Sequence, residues 1–108
     1  MSSRSESSAK VAGKGLLGGV AVADISSDLR KRFGIPDKID AGAIVTQIDP
    51  KSAVARAGVG PGDVIIQVDQ NPVNSASDFR AQAGKVEDAK SALLLVSRDN
   101  GTMFVLVK

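Results

Sequence analysis

The sequence predicts a small α+β domain whose strands are mostly antiparallel. Short apolar runs rich in Val and Ile are separated by turn residues, and they outnumber the helical segments, which are also short. The chain closes with two apolar runs around Asp99-Asn100-Gly101, and Asn-Gly is the strongest two-residue signal for a β-hairpin. The 108 residues show no internal repeat and suit one domain with a modest core.

Residues 1–13 are rich in Ser and charge and are expected to form a disordered linker or tag, so the domain itself spans residues 14–108. Apolar runs between turn signals predict these elements in order: a strand at 20–25, a helix at 29–33, a strand at 42–48, a short helix after Ser52, a strand at 63–68, a helix from Ser75 to about Ala83, and paired strands at 92–98 and 102–108. Gly84 is expected to end the helix that Ser75 begins, and Asp78 stands where a capping box has its acid.

The segment SAVARAGVGPGDVI, which begins at Ser52, carries the most specific local signals. Ser52 is placed to cap a short helix, because its hydroxyl accepts a bond from a free backbone N–H. Gly58 suits the left-handed position that closes a helix. Pro61 followed by Gly62 predicts a type II turn, in which the glycine takes a positive φ.

Composition excludes several classes of function. The chain has no Cys and no His, which excludes a disulfide framework, thiolate chemistry and a Ser-His-Asp triad. Lys and Arg exceed Asp and Glu by only 14 to 12, and three Phe are the sole aromatic residues, so no nucleic-acid partner is expected. The acidic residues are scattered, so neither a metal nor a cofactor is expected. No apolar run approaches the ~20 residues that insertion across a membrane needs.

Three segments resemble the PDZ domains of bacterial HtrA/Deg proteins: AVARAGVGPGDVIIQVDQNPV, SASDFRAQAG and LLLVSRDNGTMFVLVK. With GAIVTQIDP they extend the resemblance over about residues 15–108. It implies a PDZ-like, partly open antiparallel β-barrel or sandwich of five to six strands with two to three short helices, in the circularly permuted HtrA topology. It also implies the C-terminal PDZ domain of a periplasmic serine protease.

The resemblance implies a peptide-binding site and no catalytic residue. In PDZ domains a partner's C-terminal segment adds as a strand beside the first strand and lies against the longer helix, while a loop of backbone N–H groups holds its carboxylate. Carried onto this chain, the carboxylate-binding loop is Leu17, Gly18, Gly19 and Val20, and the peptide groove is lined by Val22, Ala76, Arg80 and Ala83.

The loop departs from the usual PDZ pattern, in which one glycine lies between two bulky apolar residues. In one register, Leu17-Gly18-Gly19, the second apolar residue is missing. In the other, Gly18-Gly19-Val20, the first is missing. The second register is preferred, because it aligns Val20 and Val22 with the pocket-facing positions of the strand.

Two positions of the longer helix have competing interpretations. Arg80 either contacts the backbone or an acidic side chain of the peptide, or it covers apolar surface with its stem. Phe79 is expected in the core rather than in the groove. By the same resemblance Gly60, Gly62 and Asp63 are structural, because their turn lies away from the carboxylate-binding loop.

The leading prediction is a non-catalytic module that captures C-terminal or extended hydrophobic segments of unfolded proteins by β-strand addition. It would regulate or feed an HtrA-type serine protease, with the protease domain and other PDZ domains of the parent protein as further partners. One alternative is a PDZ domain with a degenerate groove that acts in oligomer assembly or inter-domain contact. Another is a PDZ domain of a different envelope protein, such as a secretion component or an intramembrane protease.

Overall fold

The computed structural model describes residues 15–35, 39, 41–98 and 101–108. The elements in chain order are β1 (Val20–Asp24), α1 (Ser27–Phe33), β2 (Ala43–Ile48), α2 (Ala53–Arg56), β3 (Val64–Val68), β4 (Asn71–Pro72), α3 (Ala76–Lys85), β5 (Ala92–Arg98) and β6 (Gly101–Val107). The predicted linker or tag at residues 1–13 lies outside the described residues. None of the described helices is long and apolar enough to cross a membrane.

The six strands form one open sheet in the order β1-β2-β3-β5-β6, with β4 paired to β3. Every described pairing is antiparallel. The predicted α+β class and the partly open antiparallel arrangement are therefore confirmed. Because the sheet does not close, β1 and β6 lie at its two edges.

The core consists almost entirely of aliphatic side chains, as a composition with 3% aromatic residues requires. Ile44, Ile65 and Leu94 are among the largest side chains that are fully buried. Helix α3 packs on β1, β2 and β3 and contributes Phe79, which is 2% exposed, to the same cluster. The prediction that Phe79 belongs to the core is confirmed.

Serine caps begin the three described helices, and those at Ser52 and Ser75 were predicted from the sequence. The hydroxyls of Ser26, Ser52 and Ser75 each accept a hydrogen bond from the backbone N–H three residues later, at 3.1–3.2 Å. The Asp78 carboxylate accepts the N–H of Asn74 at 3.0 Å, one residue before the cap, so it satisfies a backbone donor much as a capping-box acid does.

The Gly-Pro-Gly-Asp turn is held by an ion pair between the buried Asp63 and the partly exposed Arg98. Gly62 has φ +93°, and the Asp63 N–H donates to the Gly60 carbonyl at 3.2 Å, in agreement with the predicted turn. Asp63 is 5% exposed, and its carboxylate accepts bonds from the Gly60 N–H and the Arg98 guanidinium, both at 2.9 Å. This confirms that the turn is structural and adds Arg98, 35 residues away, as its anchor.

Several predicted boundaries were wrong by one or two residues; α1, for example, begins at Ser27 rather than at residue 29. Helix α3 does not stop at Gly84 but continues to Lys85, with the Val86 N–H donating to the Gln82 carbonyl at 3.2 Å. Val86 packs against the core, and this tertiary contact outweighs the cost of about 1 kcal/mol for glycine inside a helix. Strand β6 begins at Gly101, which pairs with Arg98, so the hairpin link is residues 99–100, outside the described part of the chain.

Candidate functional site

The backbone of β1 is directed toward an open edge of the sheet. In an antiparallel pair, facing residues alternate between those that bond each other and those whose N–H and C=O groups point away. The Asp49 N–H donates to the Gly19 carbonyl at 2.7 Å, and Val20 lies opposite Ile48. Val20 and Ile48 are therefore a non-hydrogen-bonded pair, so the N–H and C=O of Val20 point toward the open edge.

Val22 has the same orientation. It lies opposite Val45, beyond a register shift in the β1–β2 ladder. The Val45 N–H donates to the Asp63 carbonyl, and its own carbonyl accepts the Gly62 N–H, both at 2.8 Å. Because both backbone groups of Val45 are used on the β3 side, those of Val22 point to the open edge, on which the described residues place no further strand.

Helix α3 runs beside this edge and is tied to the β1 side at both ends. At one end the Ala76 N–H donates to Asp24 Oδ1 at 2.7 Å. At the other end the Leu16 N–H donates to the Glu87 carbonyl at 3.3 Å. We call the space between the open edge of β1 and α3 the β1–α3 groove. The ten residues of α3 make it about 15 Å long, which matches about five extended residues.

The predicted groove residues of α3 share one flank of the helix. The backbone N–H of Ala76 is bonded to Asp24 at the end of β1, and Gln82 points toward β4, where Asn71 Nδ2 donates to its Oε1 at 3.4 Å. The helical period places Arg80 and Ala83 on the same flank as Ala76. Ala76 is buried, Ala83 is half-buried and packs against the core, and Arg80 is exposed.

The predicted loop residues, 17–20, lie at the end of the groove near Glu87, just beyond the C-terminal end of α3. Leu17 and Val20 are both buried in the core, with 2% and 6% exposure. The Gly18 N–H donates to the Gly15 carbonyl at 3.1 Å and closes a tight turn. Gly19 has φ +84°, and a Cβ at this position would lie 2.8 Å from Ser52 Cβ. Gly19 is therefore required both by its conformation and by its close approach to α2.

Sequence reasoning missed the residues that tie the groove together. Asp24 ends an apolar strand and resembles an ordinary strand terminator, and its partner Ala76 lies 52 positions away. Local spacing rules do not reach that far. Gly15 was passed over as well, although its φ is +82° and a Cβ there would lie 2.6 Å from the Glu87 carbonyl oxygen.

A cavity of about 380 Å³ lies elsewhere, between the end of α1 and the turn that contains Gly62. It is lined by Phe33, Ser97 and the Asp63–Arg98 pair, among others, and by no residue of β1 or α3. Within the described ranges, no three side chains of the Asp, Glu, His or Cys type are placed to hold a metal ion. We therefore take the β1–α3 groove as the candidate functional site.

Comparison with known proteins agrees with this architecture. The chain is 35% identical over 83 residues to the periplasmic serine endoprotease DegP of Escherichia coli K12, covering 75% of this chain and 17% of DegP. It is 31% identical over 94 residues to the periplasmic pH-dependent serine endoprotease DegQ of the same organism, covering 87% of this chain and 20% of DegQ. The chain thus spans about a fifth of the length of these relatives or less.

Two solved structures share the fold. The HtrA-type protease AlgW, solved with a decapeptide, superposes with a TM-score of 0.67 at 26% identity, covering 83% of this chain and 27% of AlgW. The HtrA3 PDZ domain superposes with a TM-score of 0.64 at 22% identity, covering 82% of this chain and 79% of that domain. The family model described as PDZ domain matches residues 15–108. The chain therefore belongs to the PDZ domain family, and its relatives include HtrA-type serine endoproteases.

Proposed function

We propose that the β1–α3 groove binds an extended peptide as an added antiparallel strand, with the peptide's C-terminal carboxylate at the loop Leu17–Val20. One observation carries the proposal: the N–H and C=O groups of Val20 and Val22 point to an open sheet edge beside α3. Strand addition uses such groups for affinity and the side chains around them for selection. The HtrA-type protease AlgW was solved with a decapeptide, which supports peptide binding by this chain.

Each predicted site residue has a distinct role in this proposal. The outward N–H of Val20 donates to the carboxylate, because the N–H of Gly18 is held within the loop by the Gly15 carbonyl. Val22 pairs with the peptide backbone, while Ala76 and Ala83 form a thin wall that leaves room for large apolar side chains. The exposed Arg80 contacts the peptide from the same flank of α3. An Arg80→Ala variant that binds acidic and neutral peptides with unchanged affinity would remove that role.

The biological setting that fits this module is a periplasmic HtrA-type serine protease. The relatives DegP and DegQ are named periplasmic serine endoproteases, and the match covers only a small part of each. In this setting the domain captures C-terminal or extended segments of unfolded proteins and presents them to the protease domain. It is non-catalytic itself and works beside the other PDZ domains of the parent protein.

A second candidate function, assembly or inter-domain contact, is favoured by a separate observation. At the other edge of the sheet, β6 exposes Phe104 and Leu106 to 62% and 51%. Exposed apolar side chains on an edge strand are typical of surfaces that contact another protein.

The deciding experiment is a titration of the ¹⁵N-labelled domain with peptides that differ only in a free or an amidated C-terminus. Capture predicts that amides of residues 17–22 shift with the free acid and respond much less to the amidated form. Peptides of matched composition but scrambled order serve as controls. If no peptide moves these resonances, the peptide-binding proposal is wrong and the assembly function is favoured.

A further inference from the structure

We propose that Asp24 makes the β1–α3 groove select ligands with a Lys or Arg at the fifth residue from their C-terminus. This inference rests on the proposed function and adds to it a charge preference at one ligand position. Asp24 is the last residue of β1 and is exposed. Its carboxylate accepts the first N–H of α3, at the end of the groove where this helix begins.

The position follows from the register of an added strand. A ligand antiparallel to β1, with its carboxylate at the loop, places its last residue opposite Val20. The two-residue period of the strand then places its third-last residue opposite Val22 and its fifth-last residue opposite Asp24. Directly opposite residues have their Cβ atoms about 4.5–5.5 Å apart and their side chains on the same face of the sheet.

The Asp24 side chain is oriented toward that ligand position. Its Oδ1 accepts the Ala76 N–H at 2.7 Å, which holds the carboxylate on the helix side of β1, on the face that Val20 and Val22 share. An ionised carboxylate has two oxygens and about four acceptor sites, so the bond to Ala76 leaves capacity for a ligand cation. The long stems of Lys and Arg span the Cβ separation across the two strands.

The charges around this end of the groove reinforce the preference. Asp78, in the first turn of α3, adds a second negative charge near the same helix terminus. Arg80 lies one helical turn beyond Ala76, toward the middle of the groove. A ligand with a basic residue at its upstream end and a carboxylate at its C-terminus therefore complements the distribution of charge along the groove. An acidic residue opposite Asp24 would be repelled.

Three peptides that differ only in Lys, Gln or Glu at the fifth-last position test the inference by isothermal titration calorimetry. The expected order of affinity is Lys, then Gln, then Glu. Since Asp24 is exposed, the Lys and Glu peptides should differ by roughly three- to tenfold in Kd at low salt, and by less at high salt.

The variant Asp24→Asn isolates the charge. Its amide oxygen still accepts the Ala76 N–H, so the tie between β1 and α3 is kept, and an unchanged thermal unfolding curve checks this. In Asp24→Asn the three peptides should bind within about twofold of one another. Asp78→Asn is the matched control, because Asp78 also accepts a backbone N–H at the start of α3 but lies away from the groove flank. It should retain most of the preference for Lys.

The outcomes separate the two proposals. Peptides that bind with equal Kd whatever the fifth-last residue overturn the role of Asp24 and leave peptide capture intact. A preference for Lys that survives Asp24→Asn also overturns it and assigns the selection to another residue. If none of the three peptides binds, peptide capture is overturned, and the Asp24 inference falls with it.

Discussion

The two edges of the sheet have opposite surroundings. Along β1, helix α3 flanks the open backbone groups and is tied to the β1 side at both ends, through Asp24 and Leu16. Along β6, no charged residue interrupts the seven residues of the strand, and Phe104 and Leu106 are exposed. An edge confined beside a helix admits a single extended strand of limited length. An exposed apolar edge can pack against many different surfaces, so it selects its partner much less strongly.

The largest expected effect comes from removing the larger of the two buried side chains of α3. Phe79→Ala should lower the free energy of unfolding by about 3–5 kcal/mol, because the ring is buried and its loss leaves a cavity. Phe104→Ala, the matched change at the other edge, should alter it by about 0.5 kcal/mol or less. Urea denaturation followed by circular dichroism measures both. If the two variants lost similar amounts of unfolding free energy, the two edges would depend on side-chain packing to the same extent.

A backbone-modified ligand tests whether β1 acts as an edge strand without changing the protein. N-methylation of the peptide's third-last residue removes the N–H that faces Val22, and affinity should fall roughly tenfold or more. N-methylation of the second-last residue should matter little, because that N–H points away from β1. Calorimetric titration of both peptides gives the ratio. Equal losses would contradict antiparallel pairing in the proposed register.

How much of this arrangement could be predicted depends on the distance over which the determining contacts act. The cap at Ser52 and the positive φ at Gly62 follow from residues within one turn of the chain, and both were predicted correctly. The end of α3 was not, because Val86 packs against the core and carries the helix through Gly84. No local pattern signals that contact.

The candidate site shows the same division. The positions of the loop and of the groove flank could be taken from a family resemblance, since they follow from the order of the elements. The tie between Asp24 and Ala76 could not, because it joins two elements 52 residues apart and depends on how α3 packs across the sheet. Its residue types, an acid and an alanine, are too common to indicate a contact. The contact that ties α3 to the end of β1 could therefore be identified only from the structure.

The error at Gly84 leads to a prediction of intermediate size. Gly84 lies inside α3, is exposed, and a Cβ there would meet no atom within 4 Å. Gly84→Ala should therefore raise the free energy of unfolding by about 0.5–1 kcal/mol, through helix propensity and a less flexible unfolded chain. Thermal or urea unfolding checks it. Gly19→Ala is the contrasting change: it should destabilise the domain, because Gly19 has a positive φ and close contact with Ser52.

A substitution in β6, at the opposite edge of the sheet, is expected to have the smallest effect on peptide binding in the groove. Phe104 lies opposite Leu95, and Leu106 opposite Leu93, so β5 and β6 together present an apolar strip. At high concentration this strip should give weak self-association, and Phe104→Lys should abolish it, because a charge on an edge strand opposes strand pairing. Sedimentation velocity over a concentration series measures the association. Peptide affinity should change by less than about twofold, since Phe104 belongs to neither β1 nor α3. A larger loss of affinity in Phe104→Lys would show that the two edges are coupled, and the independence of the groove from the rest of the sheet would then be wrong.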